Sequence, residues 1–500
     1  MLILQGNSCS IAQNSGEIWT VQTELQQIYP KSDRLLGNGN DKGDVTITLA
    51  EFESNSWIYR RQVMNLINLL LRSGSRAQAG TLLLMTLLGV CLLPANLSAE
   101  ELKPVEDVPA LVATALANNP EVKASEARWQ VFKNRSAQAR SFEDPMLMLK
   151  IQNGLVRAPL NFRKEQMTSK SIGISQQLPF WGKRALKGEI AEKEAESYKW
   201  LVAERKLELT RMVKETCYQL FYIDRSLDIV DRNIRILDDF ITLAQTKYSV
   251  GQGLQQDVFK AQVERSKMLD MRISLRQQRK TGEANLNALL ARPAATAVGG
   301  IADLEMQPLS LHNEQLEAIA AEKRPLLQSA RYAIEKAEAG VRLAKKEYFP
   351  DFTVSLEYMQ RDPAMGSDGL DMYGLGLTFN LPVQTSRRQA AVAESNAEIT
   401  MATEELNGIN NTIQAGIADL LAQMERRRNL AELYKTGILP QARQSLESAV
   451  IGYRVNKVDF LTLLDNMVTL FTYEREYYDS VSDYYMKLAQ LEALVGKELP

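Results

Sequence analysis

Histidine is almost missing from this chain of 500 residues. His312 stands alone, and cysteine occurs only at Cys9, Cys91 and Cys217. Zinc centres and His- or Cys-based catalysis need several such groups within reach of one another, so those chemistries are excluded. No catalytic triad and no phosphate-binding loop is present, so the sequence points away from an enzyme and calls for no cofactor. A surplus of one charge is missing too: 59 basic against 61 acidic side chains leave a net charge of −2. Binding nucleic acid by counterion release needs a basic excess, and none exists. With 24% charged residues, a polytopic helical membrane protein is also excluded.

Long apolar runs are equally scarce. The one that stands out, Thr81–Pro94, follows Arg72 and Arg76 and leads into the small-residue segment Ala95–Ala99. Its apolar core of ~13 residues falls short of the ~20 that a spanning helix needs, and the flanks are those of a secretory signal peptide. We expect residues 64–99 to be that signal, starting at Met64 and cleaved after Ala99. Residues 1–63 then read as an over-extended gene start; a mature chain beginning within that stretch would refute this. After cleavage only Cys217 remains, so no intrachain disulfide is expected. Cys91 lies inside the apolar core behind Val90, which argues against lipid attachment.

What the sequence does have is repetition. From Asn119-Pro120 onward its landmarks recur about 205 positions later, beginning with Arg324-Pro325. Each opening leads through a helical stretch to a second proline, Pro145 and Pro350. Alternating strands follow, ending at Leu178-Pro179 and Leu381-Pro382. A long tract then runs to Tyr248-Ser-Val and Tyr453-Arg-Val. Repeats that share order and spacing dictate the architecture. The copies are expected over 105–300, with strands near 145–152 and 170–178, and over 312–497, with strands near 351–360 and 371–381.

In the second copy Phe352, Val354, Leu356 and Tyr358 alternate with Thr353, Ser355 and Glu357. Tyr373, Leu375, Leu377, Phe379 and Leu381 alternate with Gly374, Gly376, Thr378 and Asn380. A large apolar face opposite a small polar one suits a strand between lipid and a wet lumen. An amphipathic hairpin on a soluble core would read alike, but two hairpins at equivalent repeat positions behind a signal peptide favour the membrane. The tracts 184–250 and 387–454 hold no proline except Pro440, and ~65 helical residues span roughly 100 Å. Such lengths call for lateral, coiled-coil-like packing. Four strands cannot close a barrel, and an open sheet edge is forbidden in hydrocarbon. At least two chains, with three the preferred number, must therefore pool their strands.

The openings Asn118-Asn-Pro-Glu-Val122 and Lys323-Arg-Pro-Leu-Leu327, the phrase Ser175-Gln-Gln-Leu-Pro-Phe-Trp-Gly-Lys-Arg184 and the Tyr-x-Val-Gly turn resemble the outer membrane factor family. These are the TolC-like channels of tripartite efflux and type I secretion, and the resemblance covers about 105–497. The longer phrase Ser171–Arg184 most resembles the heavy-metal efflux branch. The resemblance implies a mainly α fold with a small β portion, built from a tandem repeat of helix, β-hairpin and long helix pair. It implies a homotrimer with a transmembrane β-barrel on a periplasmic α-helical barrel, in the outer membrane of a Gram-negative bacterium. Its partners would be outer membrane lipid, a periplasmic adaptor and an inner-membrane pump. The alternatives are a type I protein secretion channel and a structural or adaptor coiled-coil protein, but adaptors carry lipoyl-like β segments absent here.

In that family, aspartates near the helix turns close the periplasmic end. Asp465, twelve positions beyond Tyr453, matches the inner aspartate, and three copies would form a cation-attracting ring. Thr462 stands at the outer position and Val458 where a gating arginine is common, with Lys457 beside it as a substitute. Asp257, nine beyond Tyr248, matches a tip position in the first copy. A solvated charged face explains either aspartate about as well. Gly251 and Gly253 are expected to permit the turn backbone. Trp181, Phe180, Tyr373 and Phe379 fit an aromatic girdle at a membrane interface, or core aromatics. Met146, Met148, Met359, Met365 and Met372 cluster around the hairpins. They invite a soft-metal relay, although adaptable packing is the preferred reading.

Overall fold

A computed structural model describes residues 105–499 and three short strands nearer the N-terminus. Those strands, β1 (Leu2–Gln5), β2 (Ser8–Ile11) and β3 (Thr46–Thr48), form an antiparallel sheet in that order within the unit Met1–Glu101. The expected signal segment 64–99 lies outside the described residues.

In the unit Leu102–Pro500 the first repeat runs α1 (Val108–Asn118), α2 (Pro120–Ala139), β5 (Met146–Gln152), β6 (Ser169–Leu178), α3 (Lys183–Ser249) and α4 (Gln255–Leu289). The second runs α5 (Asn313–Lys323), α6 (Pro325–Lys346), β8 (Phe352–Gln360), β9 (Met372–Phe379), α7 (Thr385–Leu433), α8 (Leu439–Arg454) and α9 (Phe460–Val495). A short parallel pair, β4 (Val105–Glu106) and β7 (Gly300–Ile301), joins the start of the first repeat to the segment after it. Asn119 shows why the prolines sit where they do. Its side-chain oxygen accepts from the Glu121 N–H at 2.9 Å, capping α2, and Pro120 occupies the first turn, where an N–H is not needed. The same side chain donates to Leu289 O at 3.0 Å, fastening the repeat's opening to its end.

The four strands form one antiparallel sheet, β5-β6-β8-β9, so the two hairpins join through β6 and β8. Its register sorts the side chains cleanly. Leu147, Ile174, Leu356 and Leu375 lie in one row; Leu149, Ile172, Tyr358 and Tyr373 lie in the next on the same face. All eight are exposed. The opposite face carries rows such as Met148, Gly173, Glu357 and Gly374.

The phrase Leu178–Arg184 makes the passage from sheet to helix. Gly182 takes a left-handed φ of 88°, open to glycine, and turns the chain into α3. Lys183, 1% exposed, reaches Asp351 Oδ1 at 2.9 Å, Phe349 O at 2.9 Å and Glu347 Oε2 at 3.3 Å. Asp351 Oδ1 also accepts from the Phe180 N–H at 2.7 Å. One buried ammonium thus binds the junction of the first repeat to that of the second.

The α3 helix is unbroken over 67 residues, a rod of about 100 Å. Its counterpart is not. A π-helical turn, Tyr434–Ile438, separates α7 from α8, and the Leu439 N–H bonds Tyr434 O five residues back. The distance from the Leu-Pro stop to the tip tyrosine is 69 positions in the first repeat (179 to 248) and 71 in the second (382 to 453). A π-turn takes up an extra residue without ending the helix, and Pro440 enters α8 within its first turn. The uninterrupted helix expected over 387–454 is corrected accordingly. Beside this bulge, Glu474 of α9 is 6% exposed and binds Arg232 of α3 together with Arg443 of α8, at 3.1 Å for the latter. Among the described residues no helix is long and apolar enough to cross a membrane.

Candidate functional site

The two turns that reverse the long helices carry most of the residues singled out by sequence. Both end their outgoing helix in the same way. In α3 the Gln252 N–H bonds Lys247 O at 2.8 Å and the Gly251 N–H bonds Tyr248 O at 3.0 Å. In α8 the Lys457 N–H bonds Gly452 O at 2.8 Å and the Asn456 N–H bonds Tyr453 O at 3.2 Å. This nested pair satisfies the last carbonyls and requires a left-handed residue between them. Gly251 supplies it at φ 75° and Asn456 at φ 60°.

Gly253 has a different part from the one expected. A Cβ there would lie 3.1 Å from Lys247 Cβ and 3.3 Å from Tyr248 N, so this glycine admits close approach. In the second turn the volumes are exchanged: glycine is at 452, and a Cβ on it would meet Val458 Cγ2 at 2.6 Å. The returning helices also start differently. Asp459 caps α9, accepting from the Thr462 N–H at 2.8 Å and the Thr462 hydroxyl at 3.1 Å, and these bonds hold its carboxyl below the ordinary range. No side chain caps α4; Asp257 lies in its first turn, where the helix dipole favours an anion.

The turns are tied to each other by Lys247, which is 6% exposed. Its ammonium donates to Asn456 Oδ1 and to Arg454 O at 3.3 Å, and stands 4.8 Å from the centroid of the Tyr453 ring. Asn456 Nδ2 in turn donates to Gln252 Oε1 at 3.4 Å. Tyr453 is buried against Phe460, ring centroids 5.5 Å apart, and its hydroxyl has no partner. Burial first, and then the Asp257 carboxylate, push its pKa up. Tyr248, its repeat equivalent, is exposed. Lys457 and Asp465 are exposed as well. The residue equivalent to Asp465 in the first repeat is Lys260, so only one copy presents a carboxylate there.

Local sequence does not mark Lys247 or Asp459 as functional. A lysine in a charged helix looks solvated, but pairing 247 with 452 and 253 with 458 exposes the exchange of volumes.

The aromatic group divides. Phe180 stacks on Phe349 at 4.5 Å, Trp181 meets Phe352 at 5.4 Å, and Phe352 meets Phe379 at 5.4 Å. These lie at the helix end of the sheet, with Trp181 75% exposed. Tyr373 sits across from Tyr358, six residues from Phe379 on β9, roughly 20 Å away at 3.4 Å per residue. The four therefore mark two levels of the sheet.

Tandem long-helix hairpins tied at their turns, with one shared sheet at the other end, define the class of channel-forming export proteins. A family model described as outer membrane efflux protein matches residues 111–292 and 318–497, and the chain belongs to that family. It is 22% identical over 343 residues to the cobalt-zinc-cadmium resistance protein CzcC of Cupriavidus metallidurans, across 67% of this chain and 78% of CzcC. The fold is similar to that of the outer membrane protein VceC of Vibrio cholerae, with a TM-score of 0.66, 17% identity and coverage of 79% and 97% of the two chains. It is also similar to CusC, whose crystal structures concern folding and transmembrane channel formation, with a TM-score of 0.68, 15% identity and coverage of 81% and 96%.

Proposed function

We propose that three copies pool their sheets into one twelve-stranded barrel in the outer membrane, standing on a periplasmic tunnel built from the long helices. The protein is then a passive conduit, without chemistry of its own, for small substrates delivered by an inner-membrane pump through a periplasmic adaptor. One observation carries this reading: the two exposed rows of Leu, Ile and Tyr across all four strands, backed by a face of small, polar and methionine side chains. In water such a face would be expelled, while against lipid it is matched. Among the described residues β5 and β9 have no partner on their outer sides. Hydrocarbon does not tolerate unsatisfied N–H and C=O groups, so closure by further copies follows. Three copies of a twofold repeat surround the axis with six similar units.

Within that assembly the paired turns form the periplasmic end. Asp465, Asp257, Lys457, Tyr453 and Tyr248 are its gate residues, with Asp465 as a threefold carboxylate ring. Metal ions head the candidate substrates on the strength of the CzcC likeness; drugs and other small molecules follow. The test combines fractionation, electrophoresis and planar-bilayer recording. Outer-membrane residence, SDS-resistant trimers and discrete conductance steps are expected; a soluble periplasmic monomer would refute the proposal. Deleting the gene and measuring sensitivity to cobalt, zinc, cadmium, drugs and detergents then assigns the substrate.

A further inference from the structure

The small, polar face of the sheet has an unusual composition. It is built from Gly, Ser, Thr, Gln, Lys and Glu, and the only apolar side chains on its strands are methionines: Met146, Met148, Met359 and Met372. Every Leu, Ile, Val, Phe and Tyr of the four strands is on the other face. Adaptable packing would not by itself exclude Leu and Val so completely from a wet wall. The same face carries one carboxylate among these thioethers. Glu357 is flanked in register by Gly173 on β6 and Gly374 on β9, so no neighbouring side chain crowds it across either strand. Met148 follows in the same row, and its methyl folds over the gap: a Cβ at Gly173 would lie 3.3 Å from Met148 Cε and 3.7 Å from Glu357 Cα. Met359 stands two residues along β8 on the same face, directly opposite Met372. Glu357 Oε1 is closed off from water yet has no hydrogen-bond partner. The nearest cation on this face, Lys150 of β5, lies in the row of Ser171, Met359 and Met372, one row from Glu357 and two strands from Met359.

We propose that Met148, Met359 and Glu357, with Met372 alongside, form a transit site for a soft monovalent cation of the Cu(I) and Ag(I) class. Thioether sulfur is a neutral, polarizable donor that suits such ions and discriminates against hard cations. One carboxylate neutralises one positive charge, and the orphaned Oε1 has an acceptor position to offer. The site deepens the channel reading, on which its place on a lumen wall rests, by naming a substrate class. The ion crosses unchanged, so no redox step is involved.

The test uses full-length protein in detergent micelles and nitrate buffer, with Ag(I) as probe. Calorimetry should show binding that falls at least tenfold in M148L/M359L and in E357Q. Silver-edge absorption should show a sulfur neighbour that the double variant loses. Leu is close to Met in volume and Gln to Glu, so SDS-resistant trimers should persist in the variants. Undiminished Ag(I) affinity in both M148L/M359L and E357Q overturns the site. Peroxide oxidation of the unsubstituted protein, read by mass spectrometry, supplies an independent arm. Ag(I) should protect Met148 and Met359 but not Met401, which is exposed on α7; equal oxidation at all three overturns it. If the unsubstituted protein binds Ag(I) through sulfur but never conducts, the channel reading fails and the site does not.

Discussion

The two helix turns reach one backbone geometry with exchanged side chains. The first has a large residue at 247 and a glycine at 253; the second has a glycine at 452 and a large residue at 458. Each turn admits one bulky group at this contact. Because the first turn places it on the outgoing helix, and because it is a lysine, its charge extends into the second turn. The second turn places an apolar valine there and remains the receiving partner. Duplicated parts can thus keep their fold while dividing roles, and the division is carried by residues whose copies differ.

The same asymmetry at the sheet junction allows the largest test. Lys183 is buried against Asp351, while its counterpart in the second repeat, Ser386, is exposed. Lys183→Met should cost about 3–5 kcal/mol, as expected when one member of a buried ion pair is removed. Ser386→Met should change stability by less than about 0.5 kcal/mol. Thermal unfolding of the two variants checks the contrast, and equal effects would erase it.

Deleting Thr436 should restore plain α-helical register in the second repeat. It would rotate α8 by about 100° against α3, turning the Tyr453 ring away from the Lys247 ammonium. Tryptic nicking at the tip and single-channel conductance should both rise sharply. An unaltered tip would mean that the bulge compensates for nothing.

A smaller effect probes the exchange of volumes itself. Gly253→Val should crowd Lys247 and cost about 1–3 kcal/mol. Adding Lys247→Gly should recover part of that, giving a favourable coupling in a double-mutant cycle. Strict additivity would show that the two positions do not share one space. Lys247→Met alone keeps the volume but removes the tie to Asn456, so it should raise the open fraction of the channel with little change in melting temperature.

Much of this molecule was legible in advance. The strands were, because period-two alternation of Leu, Ile and Tyr with Gly, Ser and Thr has no helical reading, and the long helices were, because proline is missing from them. The π-turn was not, although Pro440 and the two extra positions signalled an irregularity, because a proline can also enter a helix at a kink or a break. Residue type alone puts Tyr373 with Phe379, whereas strand rise separates them by the height of the sheet. The burial of Lys247 depends on how closely the second turn approaches, and that distance is a tertiary fact no local pattern encodes.

The smallest expected effect concerns Asp465, which differs from Lys260 in sign at equivalent positions. Both lie near the turns, so the charge at the periplasmic end is set by their difference rather than by either alone. Asp465 is exposed, and Asp465→Asn should leave stability within about 0.5 kcal/mol. Its consequence is for ions alone: three carboxylates around one axis raise the local cation concentration, and their removal should lower cation preference. Exposed charges are screened over ~8 Å at physiological salt, so the reversal potential should be measured at low ionic strength, where the difference is greatest. Lys260→Gln should move it in the opposite direction. If both substitutions leave the reversal potential unchanged, neither repeat places its charge on the conduction path, and the two turns differ in packing without differing in selectivity.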